Sequence, residues 1–217
     1  MQNSSKISAR WSRCWIVLGV LYGIFFSWYT SFEGPLTDEE IQHFSRVIEE
    51  SPDGHERLGT WTQFMRNDTG DDFVVLNAID FSDSPKPLAG HEAGESSRQL
   101  MRRYSNSFMS IAVSRATHPV LVGSSAGGAI DLWGLEGADN WDQGALVRYR
   151  SRRDLMMIFA EMNENDTDIH KLKVAAIDKT VAFPLDPWFQ LGDPRLVLGM
   201  LFVVVGLLFQ MRLNRIE

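Results

Sequence analysis

The chain has 217 residues, one cysteine and a formal net charge of −7. Residues 33–190 carry most of the acid, with 15 Lys and Arg against 26 Asp and Glu and a net charge of −11. Such a surface repels phosphate backbones and anionic headgroups, which excludes nucleic acid as a partner. The single cysteine, Cys14, excludes a disulfide within the chain.

The first predicted element is a membrane span over residues 14–32, an uncharged apolar run. About 20 such residues cross the hydrocarbon core of a bilayer as a helix. A cleaved signal peptide is the alternative, because basic residues also precede the run. Bulky residues such as Trp28 and Tyr29 stand where a signal peptidase requires small ones, which favours an uncleaved anchor.

Two short amphipathic helices are predicted next, in a helical preface that covers residues 33–72. Thr37 and Glu40 have the spacing of a capping box, and apolar residues follow on one face. The segment 53–56 repeats this start signal. The two helices are expected to pack as an antiparallel pair.

The segment 73–190 is predicted to form one α+β domain in the order β-α-β-β-α-β, which is the split βαβ or ferredoxin-like arrangement. Its strands are expected at 73–81, from 120 through a glycine-rich stretch to 133, at 141–150 and at 177–183. Its helices are expected from about 100 to 117 and after residue 151, with a short helical turn at 169–176.

A second membrane span is predicted at residues 193–211. Asp193 and Pro194 supply an N-cap and a first-turn proline to an apolar run over 196–211. This run reaches only about 24 Å at 1.5 Å per residue, so Arg195 and Arg212 are expected to snorkel towards the interface. A buried helix of a soluble protein is the alternative.

Basic residues predict the orientation, because Lys and Arg near the ends of spans stay on the cytoplasmic side. They occupy both termini, namely Lys6, Arg10 and Arg13 before the first span and Arg212 and Arg215 after the second. Residues 1–13 and 212–217 are therefore expected in the cytoplasm. The domain is expected in the periplasm of a bacterium, held on its inner membrane.

Short motifs within residues 73–185 resemble the dimeric α/β-barrel superfamily, and most closely one of its families of unknown function. The motifs are the strand 73–81 with its central Asn77, His118-Pro119-Val120, Trp141-Asp142, the segment 146–149, Ser151-Arg152-Arg153 and His170. In that superfamily two ferredoxin-like sheets join into one barrel, so the resemblance implies a homodimer. It does not imply one function, because the superfamily contains oxygenases, isomerases, haem-handling enzymes and modules without assigned chemistry.

A candidate ligand pocket follows from Asn77, a polar residue in the otherwise apolar row of Phe73, Val75 and Ile79. Such a residue must find a hydrogen-bond partner or contact a ligand. Some oxygenases of the superfamily use an Asn, a Trp and a His around a hydrophobic pocket, and the resemblance implies Trp133, Trp141 and His170 as the further members. Bonding of Asn77 to the neighbouring backbone is the simpler alternative.

Arg148 adds a second candidate, because it alternates with Arg150 on one face of a predicted strand that leads to Arg152 and Arg153. This row could clamp a carboxylate ligand. In so acidic a domain, pairing with Asp and Glu is the favoured interpretation.

Two other patterns indicate little chemistry. Residues 123–127 match the nucleophile elbow G-x-S-x-G, but strand is expected to continue after them, where an elbow needs a turn into a helix. The five histidines lack the close pairing of a metal site, so no metal is expected.

The sequence thus predicts a membrane-anchored extracytoplasmic binding or accessory module of unknown ligand, dimeric, with a membrane protein as its conceivable partner. The alternative is an anchored oxygenase or isomerase acting on a small hydrophobic or haem-like molecule. No cofactor is required by the sequence, and haem or flavin would belong to the alternative.

Overall fold

The computed structural model describes residues 2–51, 54–88, 94–164 and 169–215. They divide into two compact units, one made of Met1–Thr30 with Trp188–Glu217 and the other of Ser31–Pro187. A single 3₁₀ turn, Val113–Arg115, accompanies the helices and strands. In chain order these are α1 Gln2–Tyr29, α2 Asp38–Glu49, α3 Gly54–Arg66, β1 Phe73–Phe81, α4 Ser97–Ala112, β2 His118–Ser124, β3 Gln143–Tyr149, α5 Arg152–Glu164, α6 Ile169–Ala176, β4 Ile177–Leu185 and α7 Pro194–Asn214.

The first unit contains two helices that are long and apolar enough to cross a membrane, in the segments Ser12–Tyr29 and Pro194–Asn214. Only 6% of either segment is buried within the protein, whereas the core helix of a soluble protein would be mostly buried. α7 has 21 residues, which is about 31 Å of helix. It extends beyond the apolar run at both ends and includes Arg195 and Arg212, the residues expected to snorkel.

Two glycines of α7 meet two aromatic residues of α1. A Cβ atom on Gly206 would lie 2.5 Å from the ring of Trp15, and one on Gly199 would lie 3.4 Å from the ring of Tyr22. Trp15 and Tyr22 are seven residues apart on α1, and Gly199 and Gly206 are seven residues apart on α7, which is two helical turns in each case. Since neither glycine has a side chain, the aromatic rings can approach the α7 backbone closely.

The second unit is built on a four-stranded antiparallel sheet with the order β2-β3-β1-β4. This confirms the α+β class. β1 matches its predicted bounds, and it lies between β3 and β4 with Asn77 opposite Ala145 on one side and Ala182 on the other. β2 and β3, which a glycine-rich segment joins, pair with each other.

The predicted continuation of the second strand to residue 133 is wrong. β2 ends at Ser124, and β3 begins at Gln143 rather than at Trp141. Between them the chain forms a loop, closed by the hydrogen bonds from Ser125 N to Asp142 O at 2.8 Å and from Ala129 N to Asp139 O at 2.7 Å. Gly134 and Gly137 have φ values of 69° and 70°, a conformation that a strand cannot include.

Helices α4, α5 and α6 cover one face of the sheet. Alternation along β1 turns Phe73, Val75, Asn77 and Ile79 to this face. Phe73 belongs to a buried cluster with Tyr149 of β3, Ala112 of α4 and Ile158 of α5. Ile79 belongs to another, which includes Leu100 and Met101 of α4 and Leu172, Ala175 and Ala176 of α6.

The preface packs onto the outer side of α5. The capping box is present, since Thr37 Oγ1 accepts from Glu40 N and the Glu40 carboxylate accepts from Thr37 N. Ile41, Phe44 and Ile48 of α2 form one buried cluster with Met65 of α3 and with Met156 and Ala160 of α5. The preface therefore shares a hydrophobic core with the sheet's helical layer.

A close contact of two glycines holds the start of the preface against its end. Gly34 and Gly70 have φ values of 72° and 83°. A Cβ atom on Gly70 would lie 2.6 Å from the carbonyl carbon of Gly34. Any side chain at Gly70 would therefore be strained and would force the two backbone segments apart.

We expect Gly70→Ala to lower the free energy of unfolding by about 2 kcal/mol or more, from the positive φ and the lost approach to Gly34 together. The matched control is Gly59→Ala in α3, because a Cβ atom there meets nothing within 4 Å. The control is expected to raise stability by about 0.5–1 kcal/mol. Urea unfolding followed by tryptophan fluorescence measures both, and equal effects of the two variants would contradict the contact.

Candidate functional site

The four arginines around the β3–α5 corner are paired with protein groups, as the favoured interpretation predicted. Arg148 has only 1% of its surface exposed, and its Nε lies 2.9 Å from Asp72 Oδ2. Its Nη1 donates to Ala116 O at 3.1 Å. Arg150 forms a two-point contact with Asp154 at 2.8 and 2.7 Å, and Ser151 Oγ donates to the same carboxylate at 2.9 Å.

Arg153 attaches the first residues of the preface to α5. It donates to Gly34 O at 3.0 Å, to Pro35 O at 2.9 Å and to Glu40 Oε1 at 2.6 Å. Because α2 begins at Asp38, these bonds hold both the residues before the helix and its first turn. The side chain of Arg153 is 10% exposed, so these are bonds in a largely dry setting.

Arg152 performs the same task at the end of α3. It donates to Phe64 O at 2.6 Å, and its guanidinium lies 4.8 Å from the centre of the Phe64 ring. Its Nε lies 3.8 Å from Asp68 Oδ1. Asp68 in turn accepts from Leu36 N at 2.8 Å and from Gly70 N at 3.0 Å. We name Arg152, Arg153, Glu40 and Asp68 the arginine clamp.

The clamp makes one carboxylate unusually acidic. The hydrogen bond from Arg153 lowers the pKa of Glu40 to about 2 against its ordinary 4.5. A lowered folded-state pKa means that the pair stabilises the fold fully above pH 4.5. This contribution is lost progressively as the pH falls towards 2.

Asn77 lies on the helix-covered face of β1 and is half-buried. Its Nδ2 donates to Val75 O on the same strand at 3.2 Å. The backbone partner that the simpler alternative required is therefore present.

The other predicted site residues occupy different parts of the fold. Trp133 is 85% exposed in the loop between β2 and β3, where its indole N–H donates to Asp131. Trp141 lies at the end of that loop, with Lys179 Nζ 5.1 Å from its ring centre. His170 is an exposed residue in the first turn of α6.

The structure does not gather these residues into one pocket. Arg148 pairs with Val74 and Asn77 pairs with Ala145, so alternation turns Arg148 and Asn77 to opposite faces of the sheet. Trp141 precedes Gln143, which lies about 17 Å along β3 from Arg148. Within the described ranges no three His, Cys, Asp or Glu side chains are grouped as a metal site requires, and His91 lies outside those ranges.

A shallow groove of about 320 Å³ lies beside the clamp, a site that the sequence did not suggest. Thr60 and Gln63 of α3 and Asn67, which directly follows α3, form one wall, and Pro184 and Asp186 at the end of β4 form the other. Arg152 closes its floor and also lies 3.5 Å from Asp186. Thr60, Gln63 and Asn67 recur at helical spacing in the sequence, but their position next to the end of β4 is a result of the tertiary fold.

The second face of the sheet is apolar and largely exposed beyond the corner where Val74 and Arg148 are buried, and we name this exposed part the open sheet face. The register places on it the side chains of Leu76, Leu121, Leu146, Val181, Phe183 and Leu185. Leu121 is 57% exposed, Val181 44% and Phe183 42%. An exposed apolar row of this kind is a typical interaction surface.

Comparison with known proteins found similar solved structures. The RPA0582 protein of unknown function from Rhodopseudomonas palustris superposes with a TM-score of 0.48 and 15% identity, covering 61% of this chain and 94% of that one. A methylated form of RPA0582 gives a TM-score of 0.46 and 19% identity, over 62% of this chain and 93% of that one. No protein-family model and no curated protein matches the sequence.

The contacts separate a structural role for Arg148 from a minor one for Asn77. Arg148→Leu leaves Asp72 without the guanidinium and is expected to lower the free energy of unfolding by about 3 kcal/mol. Asn77→Leu removes one side-chain bond to Val75 O and is expected to cost no more than about 1 kcal/mol. Thermal unfolding of the purified full chain measures both, and a larger loss for Asn77→Leu would contradict these assignments.

Proposed function

We propose that the protein is a membrane-anchored, extracytoplasmic binding or accessory module that acts as a homodimer. The observation that carries this proposal is the open sheet face, because an uncovered apolar face gains free energy when a second apolar surface removes it from water. The β2-β3-β1-β4 order with helices on the other face supports a ferredoxin-like domain. Two such faces packed together would give a dimeric α/β barrel.

The edges of the sheet favour association through the face. Pro119 lies in β2 and Pro184 in β4, which are the two edge strands. Proline has no N–H to donate to an added strand. The direction of the Pro184 nitrogen follows from β1. The carbonyl of Ile79 accepts from Asp142 N and so points towards β3. Because backbone direction alternates along a strand, the N–H and C=O groups of Val75, four residues earlier, also point towards β3 and away from β4. Pro184, opposite Val75, therefore turns its nitrogen outward.

The two apolar helices support attachment to a membrane, and the basic residues at the ends of the chain support an orientation with both termini in the cytoplasm. The acidic domain would then occupy the periplasmic side of a bacterial inner membrane. Trp188 and Phe189, which are 96% and 71% exposed, would suit the aromatic belt at the interface.

The loop between β2 and β3 supports contact with a further protein. Ile130, Trp133 and Leu135 are at least 65% exposed in it. Aromatic and aliphatic side chains exposed together on a loop are typical anchors of a protein interface. A membrane protein is the partner that an anchored module would meet. The oxygenase or isomerase alternative gains no supporting observation, because its predicted residues lie apart.

A pair of valines tests the dimer. Val181 on the open sheet face and Val174 on α6 are both 44% exposed. We expect Val181→Asp to raise the dissociation constant of the dimer at least tenfold, about 1.4 kcal/mol, because a carboxylate would be buried in an apolar interface. Sedimentation equilibrium of the detergent-solubilised full chain measures this constant.

Val174→Asp is the control and is expected to leave the dissociation constant unchanged. Circular dichroism shows whether both variants keep their secondary structure. A wild-type chain that sediments as a monomer at micromolar concentration would refute the dimer, and equal weakening by both variants would refute the face.

A pair of fusions tests the orientation. Alkaline phosphatase, which folds only outside the cytoplasm, is expected to be active when fused after Pro187 and inactive when fused after Glu217. The reverse pattern would overturn the orientation, and activity at both sites would show that α7 does not cross the membrane.

A further inference from the structure

A shallow, largely apolar groove lies between α1 and α7. It has a volume of about 460 Å³ and is lined by Tyr22 of α1 and by one face of α7 from Arg195 to Val204. Gly199 lies in its wall, and a Cβ atom there would point at the Tyr22 ring, 3.4 Å away. A larger side chain at position 199 would therefore crowd the Tyr22 wall of the groove.

The length of the groove matches one leaflet. Nine residues separate Arg195 from Val204, which is about 14 Å of helix. Half of the hydrocarbon core of a bilayer is about 15 Å thick. Below Arg195 the lining is almost entirely apolar, with Met200 and Val203 following Gly199. One chain of a phospholipid therefore fits the groove from the interface to the midplane.

The mouth of the groove carries a charged pair. Arg195 Nε and Nη2 lie 3.0 and 2.6 Å from Asp193 Oδ2. The guanidinium lies 5.5 Å from the centre of the Tyr29 ring, and Tyr22 Oη donates to Arg195 O at 3.1 Å. These contacts fix a cation and an anion side by side, and both side chains keep about a fifth of their surface exposed.

Two polar atoms of the same unit lack a partner. They are Oγ1 of Thr30, the residue after Tyr29, and Nε2 of Gln190, a residue in the turn before Asp193. Both are buried and make no hydrogen bond in the described part of the protein. Buried polar groups near a membrane interface need a partner from water or from a headgroup.

We propose that this groove binds a zwitterionic phospholipid with a primary ammonium, that is, a phosphatidylethanolamine. Its phosphate contacts Arg195, its ammonium contacts Asp193, and one acyl chain occupies the groove past Gly199. A phospholipid with an anionic headgroup would place its extra negative charge or its uncharged hydroxyls beside the Asp193 carboxylate. The site rests on the proposed membrane insertion of α1 and α7.

Native mass spectrometry of the full chain tests the site. The protein is extracted from membranes in a mild detergent and offered an equimolar mixture of phosphatidylethanolamine and phosphatidylglycerol with the same acyl chains. We expect the wild type to retain the phosphatidylethanolamine at least fivefold more than the phosphatidylglycerol. Gly199→Leu, which fills the groove, is expected to reduce this retention at least fivefold.

Gly19→Leu is the matched control, because a Cβ atom at Gly19 meets nothing within 4 Å, and it is expected to retain the lipid like the wild type. Arg195→Gln keeps the groove but removes the cation, so it is expected to lose the preference without loss of the helices. Asp193→Asn is expected to shift the preference towards phosphatidylglycerol.

Three results would overturn the site: no preference in the wild type, equal retention in Gly199→Leu and Gly19→Leu, or an unchanged preference in Arg195→Gln. A failure of membrane insertion is distinguishable from these. It would place the protein in the soluble fraction and would change the phosphatase fusions, whereas a chain that inserts correctly and shows no preference would refute the lipid site alone.

Discussion

The second unit depends on buried arginines whose charges are paired with carboxylates and backbone carbonyls of the same chain. Arg152 and Arg153 reach from the first turn of α5 to backbone carbonyls at Phe64, Gly34 and Pro35, which belong to segments about 90 and 120 residues away along the chain. Each bond satisfies a carbonyl that no helix or strand satisfies. Without the clamp these carbonyls would lose their arginine partners, so the contact between α2, α3 and α5 rests on the two arginines as well as on its apolar residues.

The clamp also explains why an arginine row is a poor predictor of a ligand site. Arg148, Arg150, Arg152 and Arg153 have the composition of an anion site, yet a domain with many carboxylates provides internal partners for all of them. Burial then makes each pair costly to break. A ligand that competes for such an arginine must replace a protein carboxylate, and only Arg152, whose contact with the exposed Asp186 is 3.5 Å long, faces a groove where this exchange is easy.

The two faces of the sheet have different roles because helices cover only one of them. The covered face contains the aromatic stack of Phe73 and Tyr149, whose ring centres lie 5.3 Å apart, and it stabilises the domain. The open sheet face is also apolar, but its Leu121, Val181 and Phe183 side chains are at least 42% exposed. In the first unit, Gly206 permits close packing against Trp15, and Gly199, two turns earlier, lies beside the Tyr22 ring and lines a groove.

Local patterns determined the elements. The capping box at Thr37, the β-branched run of β1, the proline after His118 and the apolar helices at the two ends each act through neighbours in the chain, so their residues alone predicted them. The continuation of β2 to Trp133 failed because the chain leaves the strand at Ser124 and enters a loop that the hydrogen bonds from Ser125 to Asp142 and from Ala129 to Asp139 close.

Spatial relations required the tertiary structure. Asn77 and Arg148 differ by register, which places them on opposite faces, and the partners of Arg153 lie nearly 120 residues from it, a distance over which no sequence pattern specifies contact. The open sheet face and the Gly199 groove exist only when several elements are packed, so the sequence contained their residues without indicating that they would meet.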